Sequence, residues 1–368
     1  KAGDEILHTT GDVFSRDILA LDPLSLYPLS MRRPLLVIVM TLLLGMSAGN
    51  AADGERIDTH VHLAFLAGKK KTDFGKEEYA AAAKDLIALM EKHGVTKVLV
   101  LPPPNARSTP QTGVGDYADF IDAIAKYPDR LALVAGGGLL NPMIHETAAD
   151  RVTPAIRAEF EKRAKDIITH GAKGFGEMTA LHLSEQEGHP FEAVSPDHPL
   201  FLLLADIAAK NDVAIDFHMD AVVKDMDFPA RLSTLGKANP AKLSANVAAF
   251  EKLLSHNEKA RFVWQHAGSD PVGGMTPDLL RRLLGAHPNL FVGLRVAYPR
   301  AMPDNPRLTN AVFDAQGKLR PEWLKLFTDF PDRFVCGSDT FVNTGAKGGN
   351  PRSPFPGMWA FVEKRQPD

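Results

Sequence analysis

The chain has 368 residues, a formal net charge of −3 and 45% hydrophobic residues. That composition suits a globular protein with a large core, and the near-neutral balance excludes the basic footprint that nucleic acid requires. The single cysteine, Cys336, excludes an intramolecular disulfide and leaves the redox compartment open.

Residues 1–30 lie upstream of Met31, and the chain opens on Lys1 rather than Met, so the expectation is that Met31 is the start and that 1–30 is not native. Met31-Arg32-Arg33 precedes an apolar run over 34–46 and then Ser47-Ala48-Gly49-Asn50-Ala51-Ala52. A basic start, a short apolar core and a small-residue exit over 31–52 make a secretory signal peptide, hence export to the periplasm or beyond. The apolar run falls short of the roughly 20 residues of a membrane span. No cysteine stands directly after it, so neither a lipoprotein anchor nor a stable membrane anchor is expected. A single domain is expected over 53–368.

From residue 53 an apolar strand followed by a helix recurs eight times. Strands are expected at Arg56–Leu63, Val95–Leu101, Leu131–Gly136 and Ala172–Met178, then at Val213–His218, Arg261–His266, Asn289–Arg295 and Arg333–Ser338. Most are continuous runs of Val, Ile, Leu and Phe, as strands buried on both faces require. Helices are expected at Glu77–His93, Tyr117–Tyr127, Thr153–His170, Pro199–Asn211, Lys242–His256, Pro277–His287 and Pro321–Phe330. A last helix opens at Met358–Arg365 and stops near Asp368, which reads as truncated. Parallel strands with crossover helices close into a (β/α)8 TIM barrel. An open doubly wound sheet is the alternative, but no Gly-x-Gly-x-x-Gly follows a strand. Long linkers at 102–116, 180–195, 219–241, 296–319 and 340–357 each follow a strand and read as a lid over the carboxyl end of the barrel.

Polar residues gather at those carboxyl ends. The first strand carries Asp58-Thr59-His60-Val61-His62, and side chains two apart on a strand share a face, so His60 and His62 project together. Strand four gives Glu177, strand five ends in His218, strand six in His266 and strand eight in Asp339. Four histidines and an aspartate at one rim point to a divalent metal, Zn or another ion such as Mn. Such a metal lowers the pKa of water to about 7. A carboxylate beside that water takes its proton and hands it on, a duty that suits Asp339. Arg295 ends strand seven and can bind a carboxylate or phosphate, or else form an ion pair at the rim. Asp220 and Lys224 follow His218 and are candidates for lining the mouth. His182, His189 and His198 are expected to be solvated, with contact of one of them with substrate left open, and His93, His170 and His287 are expected to end helices. Cys336 is expected to pack against the helices and be inert.

The Asp58-to-His62 opening, His218, His266 and the Gly337-Ser338-Asp339 close resemble the amidohydrolase superfamily, over about residues 56–345. The branch that includes aminocarboxymuconate semialdehyde decarboxylase is the most similar. The resemblance implies that His60, His62, His218 and Asp339 are metal ligands and that His266 binds a second metal or polarises substrate. Gly176-Glu177 is similar to the Gly-Glu of TatD-type metal-dependent hydrolases, where the glutamate is a ligand; here a bridging ligand and a residue behind the ligands both stay open. Lys173 lies too early on its strand for the carboxylated lysine of many relatives.

Three functions follow. The first is a metal-dependent hydrolase acting on an amide, ester or lactone of a small molecule, with Asp339 as base and His266 as electrophilic helper. The second is a metal-dependent decarboxylase of a carboxylated aromatic or unsaturated acid. The third is a non-catalytic periplasmic binding protein. One or two ions, and a monomer or a homo-oligomer, are all compatible with the sequence.

Overall fold

Strands buried on both faces have to be covered on both, and a closed barrel with an outer layer of helices does this. The computed structural model describes residues 55–63, 75–104, 116–185, 187–295, 309–314 and 316–342. The segment 1–54, the expected Met358–Arg365 helix and most of the linkers 102–116, 296–319 and 340–357 lie outside the described residues.

Strand β1 (Ile57–Leu63) pairs in parallel with β2 (Lys97–Val100), and β2 with β3 (Leu131–Leu133). After Val134 the chain resumes as β4 (Ala135–Gly136), which pairs with β5 (Gly174–His182). Beside β5 a short β6 (Glu192–Ala193) folds back antiparallel on its end. The parallel order continues through β7 (Ala214–Met219), and a two-stranded ribbon, β8 (Met226–Asp227) with β9 (Lys242–Leu243), rises from the loop beyond it. Next come β10 (Arg261–Ala267), β11 (Leu290–Leu294) and β12 (Phe334–Cys336). Past Asp339 the chain forms β13 (Thr340–Val342), which pairs with β1 and closes the ring. Counting β3–β4 and β12–β13 as one strand each, the molecule is a (β/α)8 barrel.

Helices Lys76–Lys92, Tyr117–Ile124, Pro154–Thr169, Pro199–Asn211, Val247–His256, Pro277–Ala286 and Pro321–Asp329 alternate with the strands. Thr153 and Thr276 each cap a helix, accepting from the N–H of Ile156 and Leu279, with Pro next at the first helical position. The expected Lys242–His256 helix starts five residues later than the sequence suggests, at Val247, because Lys242 and Leu243 pair with Met226 and Asp227 instead. A six-residue helix at Asn141–Glu146 was not expected.

Two cores result from strand alternation. Outside the barrel, Val61, Leu63, Phe175, Phe217 and Phe262 meet the apolar faces of the helices, with Phe217 stacked on Phe250 at a centroid distance of 5.3 Å. Inside it, Leu99, Leu101, Val134, Ala214, Val263 and Val335 form a smaller plug. Each buried side chain of this size contributes about 1.5–3 kcal/mol relative to exposure.

Candidate metal centre

His60 and His62 stand on β1, which is buried along its whole length, and both rings turn inward because Val61 and Leu63 turn outward. Asp58 ties this strand to the eighth, accepting from the N–H groups of His60 (3.2 Å) and Ser338 (3.0 Å). The N–H of Asp339 donates to the carbonyl of His60 at 2.9 Å, which brings the Asp339 carboxylate against the two rings.

The nitrogens are divided between two duties. His60 Nδ1 lies 3.0 Å from Asp216 Oδ2, and His62 Nδ1 lies 2.9 Å from the carbonyl of Leu101. Their Nε2 atoms are buried and have no hydrogen-bond partner among the described residues. Both face carboxylates: each is 3.5 Å from Glu177 Oε2, and they are 3.9 and 3.4 Å from Asp339 Oδ1. Orphaned buried nitrogens are costly unless something binds them. Two of them aimed at two carboxylates are the donor set of a divalent cation.

Glu177 turns its other oxygen the opposite way. Oε1 is 2.6 Å from His218 Nδ1 and 3.2 Å from His266 Nε2. His60, Glu177 and His266 form one group able to hold a metal, and His60, His62 and Asp339 form another. The position of Glu177 is set by the unexpected helix. Asn141 Nδ2 donates to the Glu177 carbonyl (2.7 Å), and Asn141 Oδ1 accepts from the Thr179 N–H (3.1 Å).

The strands depart from regularity here. Register shifts in β10 between Trp264 and Ala267, and His266 sits in the left-handed region at φ 70°. Neighbours on a regular strand face opposite sides, so this break lets Gln265 and His266 both serve the interior. Asp339, at φ 52°, is held in the same region. Non-glycine residues there carry about 1–3 kcal/mol of strain, which the surrounding contacts offset.

Burial opposes the charge on Glu177, yet His60, His218 and His266 together hold its carboxyl well below the usual range. Asp339 is likewise held far below its ordinary value, with Arg295 and His266 outweighing burial. Burial opposes charge on His60 too, but Asp216 and Glu177 raise its pKa well above that of a free imidazole. His266 moves the other way, pushed down to about 4 by burial. The centre therefore holds two ionised carboxylates that draw positive charge from whatever is at hand.

The site residues expected from sequence thus take four kinds of position. His60, His62, Glu177, His218, His266 and Asp339 come together around Glu177. Arg295 is beside them, with Nη1 3.0 Å from Asp339 Oδ2. Asp220 is buried nearby, accepting from the Leu183 N–H, and burial raises its carboxyl to about 7. Lys224 is exposed, and among the described residues no hydrogen bond or ion pair joins it to the cluster.

Two expectations need correction. His198 is buried, not solvated: its Nδ1 accepts the Leu200 N–H and its Nε2 donates to the Thr147 carbonyl. His182 packs its ring against His218 at 4.5 Å and against His189 at 5.0 Å, with Nδ1 buried. Cys336 does pack against the core, and burial pushes its thiol up to about 12. Asp216, Gln265 and Asn141 were not expected at the site. Asp216 stands two residues before His218, on the same strand face, which is the signal that could have found it.

A family model described as Amidohydrolase matches residues 57–351. A comparison with curated proteins returns no match. Among solved structures, an amidohydrolase II is 12% identical, covering 83% of this chain and 90% of its own, at a TM-score of 0.42. A Xaa-Pro dipeptidase with bound methionine is 10% identical, covering 87% and 75%, at 0.43. A sugar phosphate isomerase/epimerase from Parabacteroides distasonis is 14% identical, covering 86% and 95%, at 0.43. Scores this low carry no argument about the chain.

Proposed function

Because the chain belongs to the amidohydrolase family, we propose that it is a hydrolase in which His60, His62, Glu177, His218, His266 and Asp339 would hold two divalent ions. One observation carries this reading: Glu177 gives Oε2 to the side of His60, His62 and Asp339 and Oε1 to His218 and His266. His60 cannot serve two ions, because Asp216 takes its Nδ1 and leaves only Nε2. The first ion would be held by His60, His62, Asp339 and Glu177, and the second by Glu177, His218 and His266. Zn is our expectation for these nitrogen and carboxylate ligands, with Mn as the other choice.

Bound divalent ions supply Lewis acidity, which makes water acidic near neutral pH and polarises a carbonyl. The protein's own residues do the rest. Asp339 is ionised and partly exposed at the mouth, so its carboxylate can take a proton from attacking water and return it to the leaving group. Arg295 steadies that carboxylate, and its remaining N–H groups can reach an anionic or carbonyl oxygen of the substrate. His182 and Asp220 wall the mouth next to His218. A small amide, ester or lactone suits this centre. Met31-Arg32-Arg33 and the apolar run after it support export.

The test supplies metal-free protein with Zn or Mn and offers amides, esters and lactones in 18O-water. Hydrolysis with 18O in the product, lost in His60→Ala and Asp339→Asn, is expected. Carbon dioxide release without 18O uptake would replace the hydrolase with the decarboxylase.

A further inference from the structure

Below the metal-facing atoms lies a polar chain that ordinary barrel packing does not call for. Barrel interiors are filled mostly by branched apolar side chains. Here Asp216 on β7 and Gln265 on β10 stand in the interior instead, both buried. Gln265 Nε2 donates to Asp216 Oδ2, and the same oxygen lies 3.0 Å from His60 Nδ1. Three glycines from other strands make the room. A Cβ on Gly176 would come within 2.6 Å of Asp216 Cβ, and one on Gly337 within 2.8 Å of His60 Cβ. A Cβ on Gly293 would overlap the Gln265 side-chain oxygen.

We infer that Asp216, itself oriented by Gln265, is the positioning residue that fixes His60 in the tautomer with its proton on Nδ1, and so makes Nε2 a metal donor. This inference rests on the metal-centre reading above. The physical reason is simple. A carboxylate oxygen only accepts, so the ring nitrogen facing it has to carry the proton. Once the ring is neutral, the opposite nitrogen is left with a lone pair, and it is Nε2 that faces Glu177 and Asp339. Gln265 adds a second donor to the same Asp216 oxygen and keeps it from turning away from His60. Carboxylates behind a ligating imidazole fix its orientation and raise its basicity, and losing one weakens metal binding about 10- to 100-fold.

An amide at position 216 offers a donor as well as an acceptor, so Asp216→Asn lets His60 flip its tautomer while the volume of the site is kept. Metal-free wild type, Asp216→Asn and Gln265→Leu are titrated with Zn against a chelator, and the His60 tautomer is read from the ring 15N shifts of the metal-free proteins at a pH high enough for the ring to be neutral. Circular dichroism confirms the fold of each. The expected result is about 10- to 100-fold weaker binding of one Zn in Asp216→Asn, with a changed His60 tautomer, and a smaller loss in Gln265→Leu. Wild-type affinity with an unchanged tautomer in either folded variant overturns the inference. Wild type that binds no Zn overturns the metal-centre reading itself, a separate outcome. Should Asp216→Asn fail to fold, Gln265→Leu alone decides, since it leaves the carboxylate in place.

Discussion

Glu177 Oε1 and His218 Nδ1 meet at 2.6 Å between two neighbouring barrel strands, while the other oxygen of the same carboxylate points at His60 and His62. One side chain thus serves two sets of imidazoles. Glu177→Gln keeps the shape and removes the charge that both sets need. The expected outcome is loss of one ion and a fall in activity beyond the about 10- to 100-fold that follows loss of a residue behind the ligands. Elemental analysis and initial rates on the same sample check it; two ions retained at full activity would contradict it.

Asn141 acts on Glu177 through the backbone. It closes hydrogen bonds to the Glu177 carbonyl and the Thr179 N–H, both buried. Asn141→Ala leaves one acceptor and one donor unsatisfied, so the metal-free protein should lose about 2–3 kcal/mol of stability. Urea denaturation measures this. A loss under about 0.5 kcal/mol would mean that water replaces the amide.

Asp116 predicts a pH dependence away from the metal centre. Burial raises its carboxyl to about 6, although the N–H groups of Tyr117, Gly136 and Gly138 favour the ionised form. A folded pKa above the ordinary 3.8 means that the native state holds the proton more tightly. The associated stability is full below about pH 4 and is lost as pH rises through about 6. At roughly 1.4 kcal/mol per unit, the swing is of the order of 3 kcal/mol. Melting of metal-free wild type against Asp116→Asn from pH 4 to 8 checks this. The advantage of wild type should shrink with rising pH, and a constant difference would refute the assignment.

Most of the barrel is legible in the sequence because strands such as Val213–His218 and Arg261–His266 are continuous apolar runs that only a doubly covered sheet can use. The rim residues are legible for the same reason, since a histidine or acid that ends such a run lands at the carboxyl face. What the runs conceal is their own polar members. Asp216 and Gln265 look like lapses within buried strands, and only the closed barrel shows that they face each other and His60. The Asn141–Glu146 helix is too short to show a period, and Pro142 inside it reads as a turn. His182 was placed in a linker, but β5 runs on to it because β6 pairs with its last residues. The irregular backbone at His266 has no sequence signal in β10 beyond Gly268 close behind it.

The most direct test of the whole account is the number of divalent ions bound per chain, measured by elemental analysis after metal-free protein is reloaded with Zn and desalted. The account predicts two in wild type, one or none in His60→Ala, and a melting temperature that rises with the metal, each ion adding about 2.7 kcal/mol of stability at a hundredfold excess over its dissociation constant. Wild type that holds no ion, or His60→Ala that still holds two, contradicts it.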